Sequence, residues 1–369
     1  MKIGILTFHA SHNFGSNLQN YALQQFLISE GHDVETINLR NDKQKYMYHH
    51  PLHKGRRTPV LWKVMARFLD PKWLVIECKR WNLFEKFLKN KLILTKEYKD
   101  WSTIDKDIHT FNYDAIIAGG DQIWNPFCYD FDWSYYLPSN IKPIKKIAYC
   151  PSFGNSIPRI IDDTSLSLKI KDLLKDFDYL SVRESNASEY LNGILNREIP
   201  VVADPVLLVD PSVFLNLIKE PIIKEPYIYY YTPSHTPDYE AEEIAVELAN
   251  TLGLKIVTSY PRFFKKNLMA SVSSGPIEFL NLVNNAQLVV GKSYHLVLFS
   301  ILFHKDFITL KSKKEERLES FFKILDISKR NIEYINDYYH LTEINYKKVD
   351  QILLQLKDES KQFLRESLK

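Results

Sequence analysis

IGILTFHASHNFGSNLQNYALQQFLISEGHDVETINL, residues 3–39, contains a complete strand–helix–strand unit. Ile3 to Phe8 is an apolar run suited to a buried strand. His12, Asn13, Phe14, Gly15 and Ser16 follow as a loop, and if it is an ordinary βα turn Ser16 is the N-cap of the next helix. Leu18, Tyr21, Ala22, Leu23, Phe26 and Leu27 then recur at helical spacing up to Gly31. Val34 to Leu39 is the second strand. Strand, helix and strand over this length form a βαβ unit, which predicts a parallel sheet with a right-handed crossover.

The same rhythm continues outward. Strands are predicted at 114–118, 146–150, 179–183 and 200–205. Polar, proline-bearing sequence from Asp210 to Pro226 reads as a connection. Beyond it, strands at 227–231, 255–259, 288–290 and 307–310 alternate with helices at 241–252, 276–286, 295–302 and 317–325, and a last helix covers 349–363. The expected fold is α/β, with two Rossmann-like domains facing a cleft. The boundaries are 1–210 for the first domain, 226–345 for the second, and 346–369 for a C-terminal helix.

Residues 43–100 interrupt the pattern. Between Pro51 and Asn90 stand ten basic residues and three acids, interleaved with Trp62, Trp73 and Trp81. This reads as an inserted helical subdomain of the first domain. Buried tryptophans in a helical cap are the preferred interpretation, and a membrane-surface element is the alternative.

Bulk properties exclude several classes. A chain with 45% apolar and 25% charged residues is globular rather than disordered or fibrous. A net charge of +3 gives no reason to expect nucleic acid. Cys78, Cys128 and Cys150 form neither a disulfide framework nor a metal-site spacing. The opening apolar run is too short for a signal-peptide core, and no stretch is long enough to span a membrane. A cytoplasmic protein is expected, with peripheral contact at the inner face of the cytoplasmic membrane left open.

In open parallel sheets ligands sit beyond the carboxyl ends of the strands. Each unusual polar segment here follows a predicted strand. Asn13 and Gly15 lie where backbone N–H groups meet an anion at a helix N-terminus, although an ordinary βα turn is the alternative. After the strand at 114–118 comes Gly119-Gly120-Asp121-Gln122-Ile123-Trp124-Asn125-Pro126. Asp121, Gln122 and Asn125 offer hydrogen bonds to hydroxyls, and Trp124 either stacks on a sugar or packs in the core. Arg183, at a strand end, suits a carboxylate or phosphate, the alternative being a salt bridge to Glu184 or Asp204. Lys292, Ser293 and His295 follow the strand at 288–290, where His295 is placed for acid–base work. Arg317 opens a helix after the basic run Lys311, Lys313 and Lys314 and is a further candidate cation.

Together these segments resemble the polysaccharide pyruvyl transferase family. The carrying motifs are Asn13-Phe14-Gly15 with Leu18-Gln19-Asn20-Tyr21-Ala22-Leu23, Gly119 to Asn125, and Tyr149-Cys150-Pro151-Ser152-Phe153-Gly154. Ser181-Val182-Arg183-Glu184, Asp204-Pro205 and Ser293-Tyr294-His295 with Phe299-Ser300 complete the set. The chain departs from the family pattern at Leu296, where glycine is usual, and at Cys150-Pro151 and Lys292. These departures bear on the acceptor pocket.

The resemblance implies a fold similar to GT-B glycosyltransferases. It implies transfer of a pyruvyl group from phosphoenolpyruvate to a sugar, forming a ketal, with no cofactor and no metal. His295 would then be catalytic. Arg183, Arg317, Ser293 and Lys292 would bind the donor. Asn13, Gly15, Asp121, Gln122, Trp124 and Asn125 would shape the acceptor side. The expected partners are phosphoenolpyruvate and a capsule or exopolysaccharide sugar, including undecaprenyl-linked forms. A GT-B glycosyltransferase using a sugar nucleotide is the alternative enzyme, and a carbohydrate-binding scaffold the non-catalytic one.

Overall fold

The computed structural model describes residues 1–52, 71–233, 238–259, 269–310 and 316–369. Two parallel six-stranded sheets organise the chain. The first contains β1 (Lys2–Leu6), β2 (Asp33–Leu39), β3 (Leu94–Tyr98), β4 (Ala115–Gly119), β5 (Lys145–Tyr149) and β6 (Tyr179–Leu180). Their spatial order is β3-β2-β1-β4-β5-β6. The second contains β7 (Tyr227–Tyr231), β8 (Lys255–Thr258), β9 (Met269–Ser271), β10 (Leu288–Gly291), β11 (Phe307–Leu310) and β12 (Asn331–Ile332). It runs β12-β11-β10-β7-β8-β9. Each sheet thus starts in its middle, winds to one edge and then to the other, which is the doubly wound Rossmann order.

The central strands are continuous apolar runs because helices cover both faces. Ala115 to Gly119 is buried throughout, in register with Ile3 to Leu6 on one side and Lys145 to Tyr149 on the other. A Cβ on Gly119 would collide with the carbonyl oxygen of Tyr149, so only glycine lets these two strand ends lie so close.

Contacts divide the chain into two compact units. One comprises residues 1–48, 88–210 and 351–369; the other comprises 49–87 and 211–350. From Gln351 onward the C-terminal helix Tyr346–Ser367 belongs to the first unit. Ser360 Oγ accepts from the Ala203 N–H at 2.8 Å, and Arg365 grips Glu30 with two hydrogen bonds of 2.6 and 2.8 Å. Most of the insert clusters with the second unit, although its sequence position suggests the first. Its helix Pro71–Lys91 abuts Gly275 through Leu83, and its Ile76 carbonyl accepts from Ser273 Oγ at 3.2 Å. Trp62 lies outside the described residues, as does the Trp73 side chain. Trp81 meets the ring of His50 edge-on at 4.7 Å.

Several boundaries differ from expectation for local reasons. The first helix is Phe14–Ser29, and its cap is Asn13 rather than Ser16, because Asn13 Oδ1 accepts from the N–H of Gly15 at 2.9 Å. The strand expected at 179–183 ends at Leu180, and the one expected at 200–205 reduces to a single bridge between Val182 and Val201. Asp204 turns away there to cap a 3₁₀ turn, accepting from Val206 N–H at 3.0 Å. Among the described residues, no helix is long and apolar enough to cross a membrane.

Gly119→Ala is expected to destabilise the protein by roughly 3 kcal/mol, since neither backbone can retreat. Urea unfolding would measure it. An unchanged midpoint would mean the strand ends are not held together this tightly.

Candidate functional site

In the first sheet the winding direction reverses between β1 and β4, the position where such folds bind ligands. The loops after these two strands meet there. Ser16, in the first turn of helix Phe14–Ser29, donates its hydroxyl to Asp121 Oδ2. Asp121 has left-handed φ (52°), which turns its carboxylate back to accept its neighbour's Gln122 N–H at 2.8 Å. Gln122 and Asn125 are joined by a 3.0 Å hydrogen bond, and a Cβ on Gly154 (φ 56°) would strike both side chains. Gly15 and Asn13 serve the turn itself, since the Asn13 side chain answers the helix N–H groups that would otherwise face an anion.

Two expected site residues are used differently. Trp124 is 0% exposed and cannot stack on a sugar. Its ring lies against Tyr136 (centroids 5.4 Å apart, 15° between planes) and contacts Phe153 and Phe177, while Nε1 donates to the Tyr135 carbonyl at 3.2 Å. Core packing, the other reading of this residue, is the one realised. Arg183 is likewise committed internally. Its side chain is 3% exposed and Nη1 donates to Asp204 Oδ2 at 2.9 Å, which is the salt-bridge alternative rather than an open anion site.

Glu184 extends this arrangement. One carboxylate oxygen accepts from Ser152 Oγ at 2.5 Å and from the N–H groups of Phe153 and Gly154 at 3.0 and 3.1 Å. The Ser-x-Arg-Glu and Ser-Phe-Gly segments are therefore two halves of one clasp. Sequence reasoning treated them as separate.

Further polar groups at this crevice escaped the sequence reading. Asp130 accepts from Ser11 Oγ at 2.9 Å and from Tyr48 OH at 3.3 Å. Burial raises its carboxyl above the usual range, with the nearby Asp121 charge adding to the effect. Tyr48 stacks on His12, centroids 5.4 Å apart. Asp130 sits far from Ser11 in sequence, with no motif around it, so no local signal marks the pair. Burial pushes the Cys150 thiol well up, which disqualifies it as a nucleophile.

The second sheet reverses between β7 and β10. Lys292 follows β10 directly, and its Nζ pairs with Asp238 Oδ2 at 2.6 Å. Asp238 also caps helix Tyr239–Leu252, accepting from Ala241 N–H at 3.1 Å, so one carboxylate ties both loops of this crevice. Ser293 caps helix Tyr294–Leu302, and His295 lies buried in its first turn with Tyr294 edge-on at 5.5 Å. Glu242, one turn into the helix that Asp238 caps, is pushed up to about 7 by burial, helped by the Asp238 charge. Arg317 opens helix Glu316–Leu325, but its side chain lies outside the described residues, as do Lys311, Lys313 and Lys314. Among the described residues, no three His, Cys, Asp or Glu side chains converge to hold a metal ion.

A sequence model of polysaccharide pyruvyl transferases matches residues 13–314. The chain belongs to that family. A search of curated proteins found no match. Among solved structures, a putative UDP-N-acetylglucosamine 2-epimerase from Listeria monocytogenes is similar at 10% identity and TM-score 0.51, covering 100% of this chain and 90% of the other. The UDP-GlcNAc 2-epimerase of Neisseria meningitidis, bound to UDP-GlcNAc, is similar at 8% identity and TM-score 0.50, covering 100% and 94%. The glycotransferase of kitacinnamycin gives 11% identity and TM-score 0.48, covering 100% and 98%. The two epimerase likenesses concern the fold alone, two Rossmann-type sheets. In this member of the family, the segments that carry the resemblance lie at the carboxyl ends of β1, β4, β5 and β6 in the first unit and of β10 in the second.

Two predictions follow from these environments. Trp124→Ala should destabilise the protein by about 3–5 kcal/mol, as for other buried aromatics, seen as a lower urea midpoint. Native stability equal to wild type would show that Trp124 is dispensable to the core. The raised Glu242 carboxyl makes the folded state hold its proton more tightly than the unfolded state, so its contribution to stability falls as pH rises from about 4.5 to about 7. Glu242→Gln should therefore gain stability relative to wild type at about pH 8 and little at about pH 4. A pH-independent difference between the two proteins would contradict the assignment.

Proposed function

We propose that the protein transfers a pyruvyl group from phosphoenolpyruvate to a sugar of a bacterial polysaccharide or its lipid-linked precursor, forming a cyclic ketal. The family match over residues 13–314 carries this reading. The electrostatics of the two crevices support it. The first presents Asp121 and Asp130, with its helix terminus already capped by Asn13, so it suits hydroxyl groups better than phosphate. The second places a cation, Lys292, and His295 beside a helix N-terminus capped by Ser293, and a donor anion there would take the place Asp238 now holds on the lysine.

In the proposed reaction a proton adds to the methylene carbon of phosphoenolpyruvate, making the adjacent carbon electrophilic. One sugar hydroxyl attacks that carbon and the bond to the phosphate oxygen breaks. A second hydroxyl closes the ketal. Of the two hydroxyl protons released, the carbon gains one in net terms and phosphate carries the other. His295 relays them. Lys292 and Ser293 hold the donor anion, with Arg317 as a further cation. Asp121, Gln122 and Asn125 orient the acceptor. Arg183 acts only through Glu184 and Asp204, keeping the first crevice in shape.

The test is pyruvyl transfer from phosphoenolpyruvate to repeat-unit glycans of the native polysaccharide, followed by phosphate release and by mass spectrometry of the acceptor. His295→Ala should lower turnover by about 10²- to 10⁴-fold, measured at a temperature where the variant is still folded. Near-normal turnover in that variant would remove His295 from the mechanism. Thermal stabilisation by a UDP-sugar, with none by phosphoenolpyruvate, would overturn the reaction in favour of a sugar-nucleotide donor.

A further inference from the structure

With Trp124 sealed in the core, stacking of a sugar ring in the first crevice would need another aromatic surface. The next residues of the same loop supply one. Phe127 is 40% exposed and Tyr129 is 55% exposed, whereas most aromatic residues of this unit are buried. Tyr129 makes no hydrogen bond or ring contact among the described residues. Both neighbours of Tyr129 are tied into the crevice. Cys128 Sγ lies 3.9 Å from Gln122 Oε1, and Asp130 accepts from Ser11 on the loop after β1. Tyr129 is therefore held at the crevice rim. Phe127 is fixed as well, through its N–H donating to Asn125 Oδ1 at 3.1 Å and the Arg159 guanidinium lying 3.5 Å from its ring centroid.

We infer that Phe127 and Tyr129 form the platform on which the acceptor's pyranose ring stacks, an inference that rests on the sugar acceptor proposed above. A pyranose offers an apolar face of C–H groups and an edge of hydroxyls. The π-face of an aromatic ring attracts the first, and amide and carboxylate oxygens take up the second. This loop offers both within a few residues, since Asp121, Gln122 and Asn125 are half-buried side chains with exposed remainder. A protein-docking patch would instead call for a broad apolar area. These two rings stand among polar groups.

The binding of a panel of methyl pyranosides, including N-acetylated members, is measured by saturation-transfer NMR on the full chain. Phe127→Ala and Tyr129→Ala should each weaken the best-binding pyranoside by about three- to ten-fold. Tyr129→Trp should retain binding. Because both residues are exposed, melting temperatures should match wild type. Unchanged affinity in the double alanine variant, or no binding by any pyranoside to wild type, would overturn the platform. So would altered self-association with sugar binding intact, which would mark a protein contact. Phosphoenolpyruvate is titrated in parallel. If it stabilises every variant while pyranoside binding ignores the rings, the platform fails and the donor reading stands. If pyranosides bind through the rings and phosphoenolpyruvate does nothing, the donor reading fails and the platform stands.

Discussion

The carboxylate of Glu184 is the group on which the first crevice depends. A buried carboxylate is costly unless donors surround it. Here three donors from Ser152, Phe153 and Gly154 converge on one oxygen, and the Arg183 guanidinium lies 3.8 Å from the other. The arrangement locks the loops after β5 and β6 into one body. Ser152 also passes its N–H to the Asp121 carbonyl at 2.7 Å, and Asp121 takes the hydroxyl of Ser16. Four strand ends, β1, β4, β5 and β6, are thereby linked through a continuous polar chain. Removing Glu184 would leave Arg183 buried with fewer partners, and loss of one member of such a group is worse than never having built it.

The strand and helix rhythm was legible in the sequence because periodicity is local. Apolar runs at Ile3, Ala115 and Leu288 mark strands wherever they pair, and the doubly wound order follows from alternating elements with short connections. The edges were less legible. β3, β9 and β12 escaped, being short strands with weak patterns at or near the sheet margins. At the site, the motif positions were readable but several roles were not. A tryptophan after a Gly-Gly pair looks identical in sequence whether it points to solvent or to the core, and only the aromatic cluster of Tyr136, Phe153 and Phe177 decides it. Arg183 posed the same ambiguity, resolved by an aspartate twenty-one positions away.

Charge separates the two crevices more clearly than shape does. Both lie at the reversal point of a sheet, and both have a helix N-terminus at that point. In the first, an asparagine cap and two nearby carboxylates have already answered the positive end of the helix. In the second, the cap is a serine, and the nearest charge is a lysine balanced by Asp238. Equivalent positions in two similar sheets therefore carry different polar groups, carboxylates in the first and a lysine–aspartate pair in the second, from a handful of substitutions in the loops. The fold provides the place and the loop side chains set its chemistry.

In the helix Phe14–Ser29 the apolar residues at helical spacing are only part of what is buried. Asn17, Gln19, Asn20 and Gln24 are all fully buried, so the face opposite the apolar stripe is not a solvent face. Together the four reach the loop after β1, the first turn of the helix itself, β2 and the approach to β3. Asn17 donates to the carbonyls of His9 and Ser11, which shapes the loop carrying Asn13. Gln19 donates to Thr7 and to the Ser16 carbonyl, and a Cβ on Gly120 would strike its amide. Gln24 donates to Thr36 and to the Ile93 carbonyl, joining β2 to the approach of β3, while Asn20 accepts from Thr36. Apolar residues at these positions would bury as well and would hold none of these loops. The polar face trades hydrophobic stabilisation for position, and the position it secures is the loop at the mouth of the crevice.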